Sequence, residues 1–526
     1  MIRFKSVRTV AATLMMFFLV FFVFVSCSTA SAKKPSTLNQ SGKHISSSTF
    51  SQHGFRLVEQ KQIEMVSGTA YILEHIKSGA QVYYIANDDE HLGFSISLST
   101  PPELDNGANH ILEHMTLAST RSYPGKEVFF GASNTTLNTY MNASTSATYI
   151  QFPFSTTDER QYRQLADYYM SAVYEPTLDD YIFMREGFRY EMATKNSPLT
   201  INGIVYNEMK GANSNILRHA NVVMRESLFP DTVVKNDSAG KVENIPTLTA
   251  DDLREYHKTY FVPSNSIIGI YGELDVVSFL DFLDKQWLSK YEKSISLVKI
   301  PEQKPFSKPK SVYRTFPAPS NYDSDIKAVI SKGYALTGIS DKEIPALLLL
   351  INILNNNNSP LMKELDKSNL ADSYFLNVSM ATRQPQFEII AQNISPQKAS
   401  TFEHIVVSAL KKVAFEGIDP DLFASVKADF YAGAVLAREN TRIGLDILGS
   451  MAIGEITIGS KYAIATSNYD VQNVSIQNVS KVAERFLVNN NHSVLVIIDP
   501  KPGLGEEQEK AEQDTLAKLK SSLSES

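Results

Sequence analysis

The sequence predicts an α+β fold of two related domains, each a mostly antiparallel sheet packed with helices. Three observations carry that expectation. Runs such as "AQVYYIAN" (80–87) and "GFSISLST" (93–100) alternate with the period of two that strands require. Segments such as "DERQYRQLADYYMSAVY" (158–174) have helical spacing instead, with Leu165, Tyr168, Tyr169, Ala172 and Val173 on one side. The order strand, break, helix at 93–117 recurs where "IKAVISKGYAL" leads through "TGISDKE" into "IPALLLLINIL".

The N-terminus comes first in the chain and stands apart from this pattern. Arg3, Lys5 and Arg8 precede the uncharged run "VAATLMMFFLVFFVFV" (10–25), which is shorter than the roughly 20 residues that span a bilayer. A basic start, an apolar core and small residues after it describe a signal peptide over 1–26. Cys27, the single cysteine, follows in "FVSC", which resembles a bacterial lipobox and makes Cys27 the expected lipid attachment site. The other reading is an uncleaved anchor. Both put the domains outside the cytoplasm, on the periplasmic side or the cell surface, with no internal disulfide.

Residues 27–54 are rich in Ser and Thr and read as a tether. A first domain is expected over 55–298, a Pro/Lys-rich linker over 299–312, a second domain over 313–500 and a charged helical tail over 501–526. At 526 residues the chain is too long for one ordinary core. A net charge of −7 with no Lys/Arg block argues against nucleic-acid binding.

Within the first domain, "PPELDNG" breaks the chain and offers caps, so a helix is expected from about Ala108. That helix carries "HILEH". Positions i and i+4 share a helix face, so His110 and His114 project together with Glu113 beside them. Two imidazoles so placed can reach one Zn²⁺, and a neighbouring carboxylate can take a proton from a metal-activated water. The H-x-x-E-H order is the inverzincin signature. A catalytic zinc wants a third protein ligand. Glu186 and Glu191 in "REGFRYE" and Glu208 in "NGIVYNEMKG" all qualify, and composition does not choose among them.

With "TPPELDNGANHILEHMTLAST", "SYPGKEVFF", "LNTYMNAST", "VYEPTL", "NGIVYNEMKGANS" and "NSPLMKELDKSNLADSY", the chain resembles the pitrilysin/insulinase family of zinc peptidases. The likeness is greatest to the N-terminal half of its presequence-protease branch and spans roughly residues 55–500. It implies one half of a clamshell peptidase with one zinc per chain, held by His110, His114 and Glu208, and Glu113 as general base. It also implies that Asn142 to Thr145 form an edge strand beside the metal, where Asn142 and Ala143 bind substrate. Family members of full length enclose peptides between two halves, so a second half-size chain, identical or different, is expected to close the chamber. The second half of such members presents an Arg and a Tyr to the substrate. Arg314 and Tyr322 have suitable spacing but precede the expected strand and are given no role. The function expected is zinc-dependent endopeptidase action on short or unfolded peptides. The alternatives are a non-catalytic subunit and a peptide-binding lipoprotein.

Overall fold

The computed structural model describes residues 45–323 and 327–525. The expected signal segment, Cys27 and the tether as far as residue 44 lie outside the described residues. The last part of the expected tether is folded. Ser47–Gln52 form a helix capped by the Ser46 side chain, and Phe50 is wholly buried, its ring 5.5 Å from that of Tyr71. Burying one Phe side chain contributes about 2 kcal/mol, enough to dock a single turn among serines.

The first sheet is built from β1 (Phe55–Ile63), β2 (Gly68–His75), β3 (Gln81–Ala86), β4 (Leu92–Ser99), β5 (Asn138–Met141), β6 (Ser144–Thr145) and β7 (Tyr149–Thr156). A small hairpin, β8 (Arg189–Glu191) with β9 (Thr200–Asn202), stands apart, and β10 (Ser266–Tyr271) returns to the sheet. The strand order is β1-β2-β3-β10-β4-β7-β5, with β6 beside β7. The second sheet comprises β11 (Lys310–Ala318), β12 (Ala328–Ala335), β13 (Ser373–Ser379), β14 (Gln386–Ile394) and β15 (Ser493–Pro502), ordered β11-β15-β12-β14-β13.

The two sheets repeat one topology. Replacing β3, β4, β5, β7 and β10 by β11 to β15 in chain order turns the order β3-β10-β4-β7-β5 into that of the second sheet. The directions match as well: β10 runs parallel to β3 and antiparallel to β4, as β15 does to β11 and β12. Helix Ala108–Ala118 follows β4, and helix Ile344–Leu354, also 11 residues long, follows β12. Counted from the first residue of each, His110, Glu113 and His114 correspond to Ala346, Leu349 and Leu350. The repeat keeps the architecture without the chemistry.

Each half lends the other a helix. Helix Ile216–Leu228 packs on β15 and β12 of the second sheet, and helix Ile443–Ile456 packs on β4, β10 and β7 of the first. Strand β4 shows what this requires. Leu92, Phe94, Ile96 and Leu98 join the main core, while Gly93, Ser95, Ser97 and Ser99 make the opposite face, yet all eight residues are buried. The small residues let the helix come close: a Cβ on Gly269 would lie 3.1 Å from Leu448, and one on Gly444 2.2 Å from the Tyr271 ring. In the second sheet a Cβ on Gly333 would lie 2.3 Å from Met224 Sδ. The Pro/Lys-rich segment between the sheets is pinned, because buried Gln303 exchanges hydrogen bonds with Asp231 and Gln384.

Glu388 pairs in register with Gly333 and is buried, with a hydrogen bond from Gln386 Nε2. Burial pushes its carboxyl up to about 7, opposed in part by Gln386 and the Arg225 charge. An unfolded Glu titrates near 4.5, so between these values the folded chain holds a proton that the unfolded chain has lost. Stability therefore falls as pH rises from about 4.5 to 7. Glu388→Gln, which cannot ionise, is expected to match the parent in urea unfolding at pH 5 and to be the more stable of the two at pH 8; equal stability at both would refute this.

Candidate metal and peptidase site

Helix Ala108–Ala118 begins at the residue the sequence indicates. Its cap, Gly107, has φ +78, a conformation that side-chain-bearing residues rarely adopt, and a Cβ there would sit 3.0 Å from the Ala239 carbonyl. Ile111, Leu112 and Met115 bury one face in the main core. His110 and His114 lie on another, their ring centroids 5.0 Å apart and nearly perpendicular.

Glu208 comes from helix Ile204–Ala212. Gly203 brings that helix against the end of helix Asp180–Glu186 with no space for a side chain, since a Cβ would lie 2.1 Å from the Gly187 carbonyl oxygen. Helix Asp180–Glu186 packs in turn on Ala108–Ala118, so the three elements converge. Glu208 Oε2 lies 3.7 Å from His110 Nε2 and 3.9 Å from His114 Nε2, and the three ligand atoms fall within 4.8 Å of one another.

The three candidate glutamates thus separate by position. Glu186 is buried and accepts the His114 Nδ1 proton at 3.2 Å, from the side of the ring away from the cluster, while Arg185 holds its other oxygen. Glu191 sits on the β8–β9 hairpin, bonded to Arg189 and Asn202. Only Glu208 of the three joins the two Nε2 atoms.

The electrostatics suit a divalent cation. Burial, with the neighbouring His114, drives the His110 pKa down to about 3, so its imidazole is neutral at pH 7 and keeps a ring-nitrogen lone pair. The His110 Nδ1 is buried and, among the described residues, has no partner in hydrogen-bond geometry, although the Ala239 carbonyl is near enough to favour the protonated ring. Burial pulls His114 down too, but Glu186, Glu113 and Glu208 outweigh it and leave it above its ordinary value. A cation would take over the task of balancing those carboxylates. Two imidazole nitrogens and a carboxylate oxygen converging from two helices form a donor set that fits zinc.

Glu113 is buried beside the cluster and accepts a hydrogen bond from Thr145 Oγ1 at 2.7 Å. Burial raises its carboxyl above the usual range, with His114 and Thr145 pulling the other way. Nothing in the sequence pattern singles out this use of Thr145. Among the described residues strand β6 pairs with β7 alone. Asn142 donates its N–H to the Pro153 carbonyl and accepts from Tyr169 at its own carbonyl, so its main chain faces inward. By alternation, the main chains of Ala143 and Thr145 face away from β7, and the Thr145 N–H is turned to the Glu113 carboxylate. Arg314 and Tyr322 fall elsewhere: Arg314 is exposed on β11, and Tyr322 packs its ring 6.2 Å from that of Phe316.

Comparison with known proteins agrees with the fold. Residues 97–208 match the family described as Insulinase (Peptidase family M16), and residues 247–430 match Peptidase M16 inactive domain. The chain is 29% identical to Protein HypA of Clostridium perfringens over 490 residues, covering 90% of this chain and 49% of that protein. It is 30% identical to Presequence protease 1, chloroplastic/mitochondrial, of Arabidopsis thaliana over 498 residues, covering 90% and 45% respectively. Among solved structures, a protease from Helicobacter pylori superimposes with a TM-score of 0.64 at 16% identity, over 81% of this chain and 98% of that one. The chain therefore belongs to the M16 (insulinase) peptidase family, as a presequence-protease-like half. It spans about half the length of the curated relatives it matches.

Glu186→Gln removes the charge that orients His114 while preserving shape. Partners of this kind tune metal affinity by about 10- to 100-fold. Zinc affinity measured by chelator competition is expected to fall about tenfold, and an unchanged affinity would show that the Glu186 contact does not tune the site.

Proposed function

We propose that the chain is a zinc-dependent endopeptidase acting on short or unfolded peptides. The observation that carries this reading is the convergence of His110, His114 and Glu208 beside the Glu113 carboxylate. Zinc bound there supplies a water acidified towards pKa about 7 and a Lewis acid for the scissile carbonyl. Glu113 accepts the proton of the attacking water and returns it to the leaving amine. Burial raises its proton affinity above that of a free carboxylate, which favours taking the proton. Thr145 holds the carboxylate in place, and Glu186 keeps the His114 ring turned.

The substrate peptide adds as a strand along β6 on the side away from β7, pairing with the main chain of Ala143. Backbone pairing reads little of the side-chain sequence, which suits a broad peptide substrate class. The flank exposes apolar side chains, among them Tyr181, Met184, Tyr190, Met192 and Ile204, for a peptide or a partner to cover. A second half-size chain, another copy or a separate subunit, closes the chamber and excludes water from the reacting carbonyl. The match of the Helicobacter pylori chain along nearly its whole length supports the half-size chain as a unit of this fold. Cys27 carries a lipid that holds the enzyme on the outer side of a bacterial membrane. Among the described residues no helix is long and apolar enough to cross one.

A non-catalytic subunit is the second reading, and the match to an inactive domain favours it. That match falls chiefly on the second repeat, whose helix "IPALLLLINIL" lacks the site, whereas residues 97–208 contain all four candidate groups.

Glu113→Gln is expected to retain stoichiometric zinc and to lose peptide cleavage by at least about a hundredfold, the scale of a general base. An active variant would end the assignment of Glu113. Anchor and partner are tested together with Cys27→Ser, which should move the protein from the membrane to the soluble fraction. Light scattering on that protein, alone and with candidate half-size partners, is expected to give the mass of two half-size chains. Continued membrane association rejects the lipid, and a single-chain mass throughout rejects the partner.

A further inference from the structure

The four groups of the site are not equally supported. His114 is held by Glu186, Glu113 is held by Thr145, and His110 is largely enclosed on a core helix. Glu208 is half exposed and, among the described residues, accepts no hydrogen bond of its own, so only its helix decides where it stands. That helix is nine residues long and buries just Val205, Tyr206 and Met209. Its start is fixed by the contact of Gly203 with Gly187.

The remaining support comes from the far end of the chain. Helix Leu504–Glu525 leaves β15 through Gly503, is tied at its start where Ser320 N–H donates to Glu506, and runs to the first half. There Glu512 grips the helix of Glu208 with both oxygens. Oε1 accepts from the Tyr206 hydroxyl, and Oε2 pairs with Lys210 Nζ at 2.8 Å. Leu516 is buried alongside, and Lys520 Nζ donates to the Ser197 carbonyl between β8 and β9. Tyr206 and Lys210 are four residues apart, on one helix face, and Glu208 lies midway between them in sequence, on a different face. The grip therefore steadies the helix from a side that a metal does not use.

We infer that the C-terminal helix is a strap across the two halves and that Glu512 is a positioning residue for Glu208. The inference rests on the reading of Glu208 as the third zinc ligand. A carboxylate must reach zinc at about 2.0–2.2 Å, so a small roll of its helix removes it from the set. An ion pair as exposed as that of Lys210 and Glu512 adds little to global stability. Its loss belongs in metal affinity, not in the melting temperature.

The test uses the full chain, with zinc affinity by chelator competition and the melting temperature of the metal-free protein. Glu512→Ala is expected to weaken zinc about tenfold or more, with the metal-free melting temperature within roughly 2 °C of the parent. Glu512→Gln, which still accepts from Tyr206, should recover part of the affinity. Glu208→Gln serves as the reference and must weaken zinc by itself. Parental affinity in Glu512→Ala, with Glu208→Gln impaired, overturns the strap alone. Parental affinity in Glu208→Gln overturns the ligand reading beneath it. A fall in the metal-free melting temperature that parallels the loss of zinc shows a purely structural role and also overturns the inference.

Discussion

The close approach of helices lent between the two halves is the constraint on which the rest of the structure depends. Gly333 beneath Met224, and Gly269 and Gly444 against Leu448 and Tyr271, are places where a single added carbon meets an atom already present. Interiors packed at this density pass displacement on to their neighbours. The lent helix Ile216–Leu228 begins only a short turn after the helix that carries Glu208. Where that helix docks on the second sheet thus governs where Glu208 can stand in the first half. The strap of Leu504–Glu525 returns from the second sheet to the same helix, so the site is braced from both directions.

The repeat gives an internal comparison. Both sheets are laid out alike, and both follow their second shared strand with an 11-residue helix. In one half that helix presents imidazoles and a carboxylate, and in the other the corresponding positions are Ala346, Leu349 and Leu350. Since "IPALLLLINIL" folds in the equivalent place, the fold does not need His110, Glu113 or His114. Burying Glu113 and His110 costs desolvation, visible in the displaced proton affinities of both. Groups retained at such a cost, with no architectural task, are the mark of a functional site.

Some of this was legible residue by residue. Local signals place the helix at Ala108, because the break "PPELDNG" and the apolar positions Ile111, Leu112 and Met115 act within one turn or two. The side-by-side placing of His110 and His114 follows from helix geometry alone. The choice of Glu208 over Glu186 and Glu191 does not, since all three sit on plausible segments and only the contact at Gly203 and Gly187 decides which one faces the Nε2 atoms. Strand β4 is another instance. Its serines alternate with large apolar residues as on a solvated face, yet they are buried under a helix some 350 residues later in the chain.

By itself the sequence determined the elements, their repetition and the paired imidazoles with an adjacent carboxylate, because each depends on contacts within a few residues along one helix or strand. Tertiary structure decided which carboxylate completes the set, that Thr145 holds Glu113, that Glu186 turns His114, and that Glu512 reaches the helix of Glu208. Those are contacts between residues 32 to 306 positions apart, from Thr145 on Glu113 to Glu512 on Tyr206. No periodicity records them, for each joins separate elements that meet only once the chain has folded.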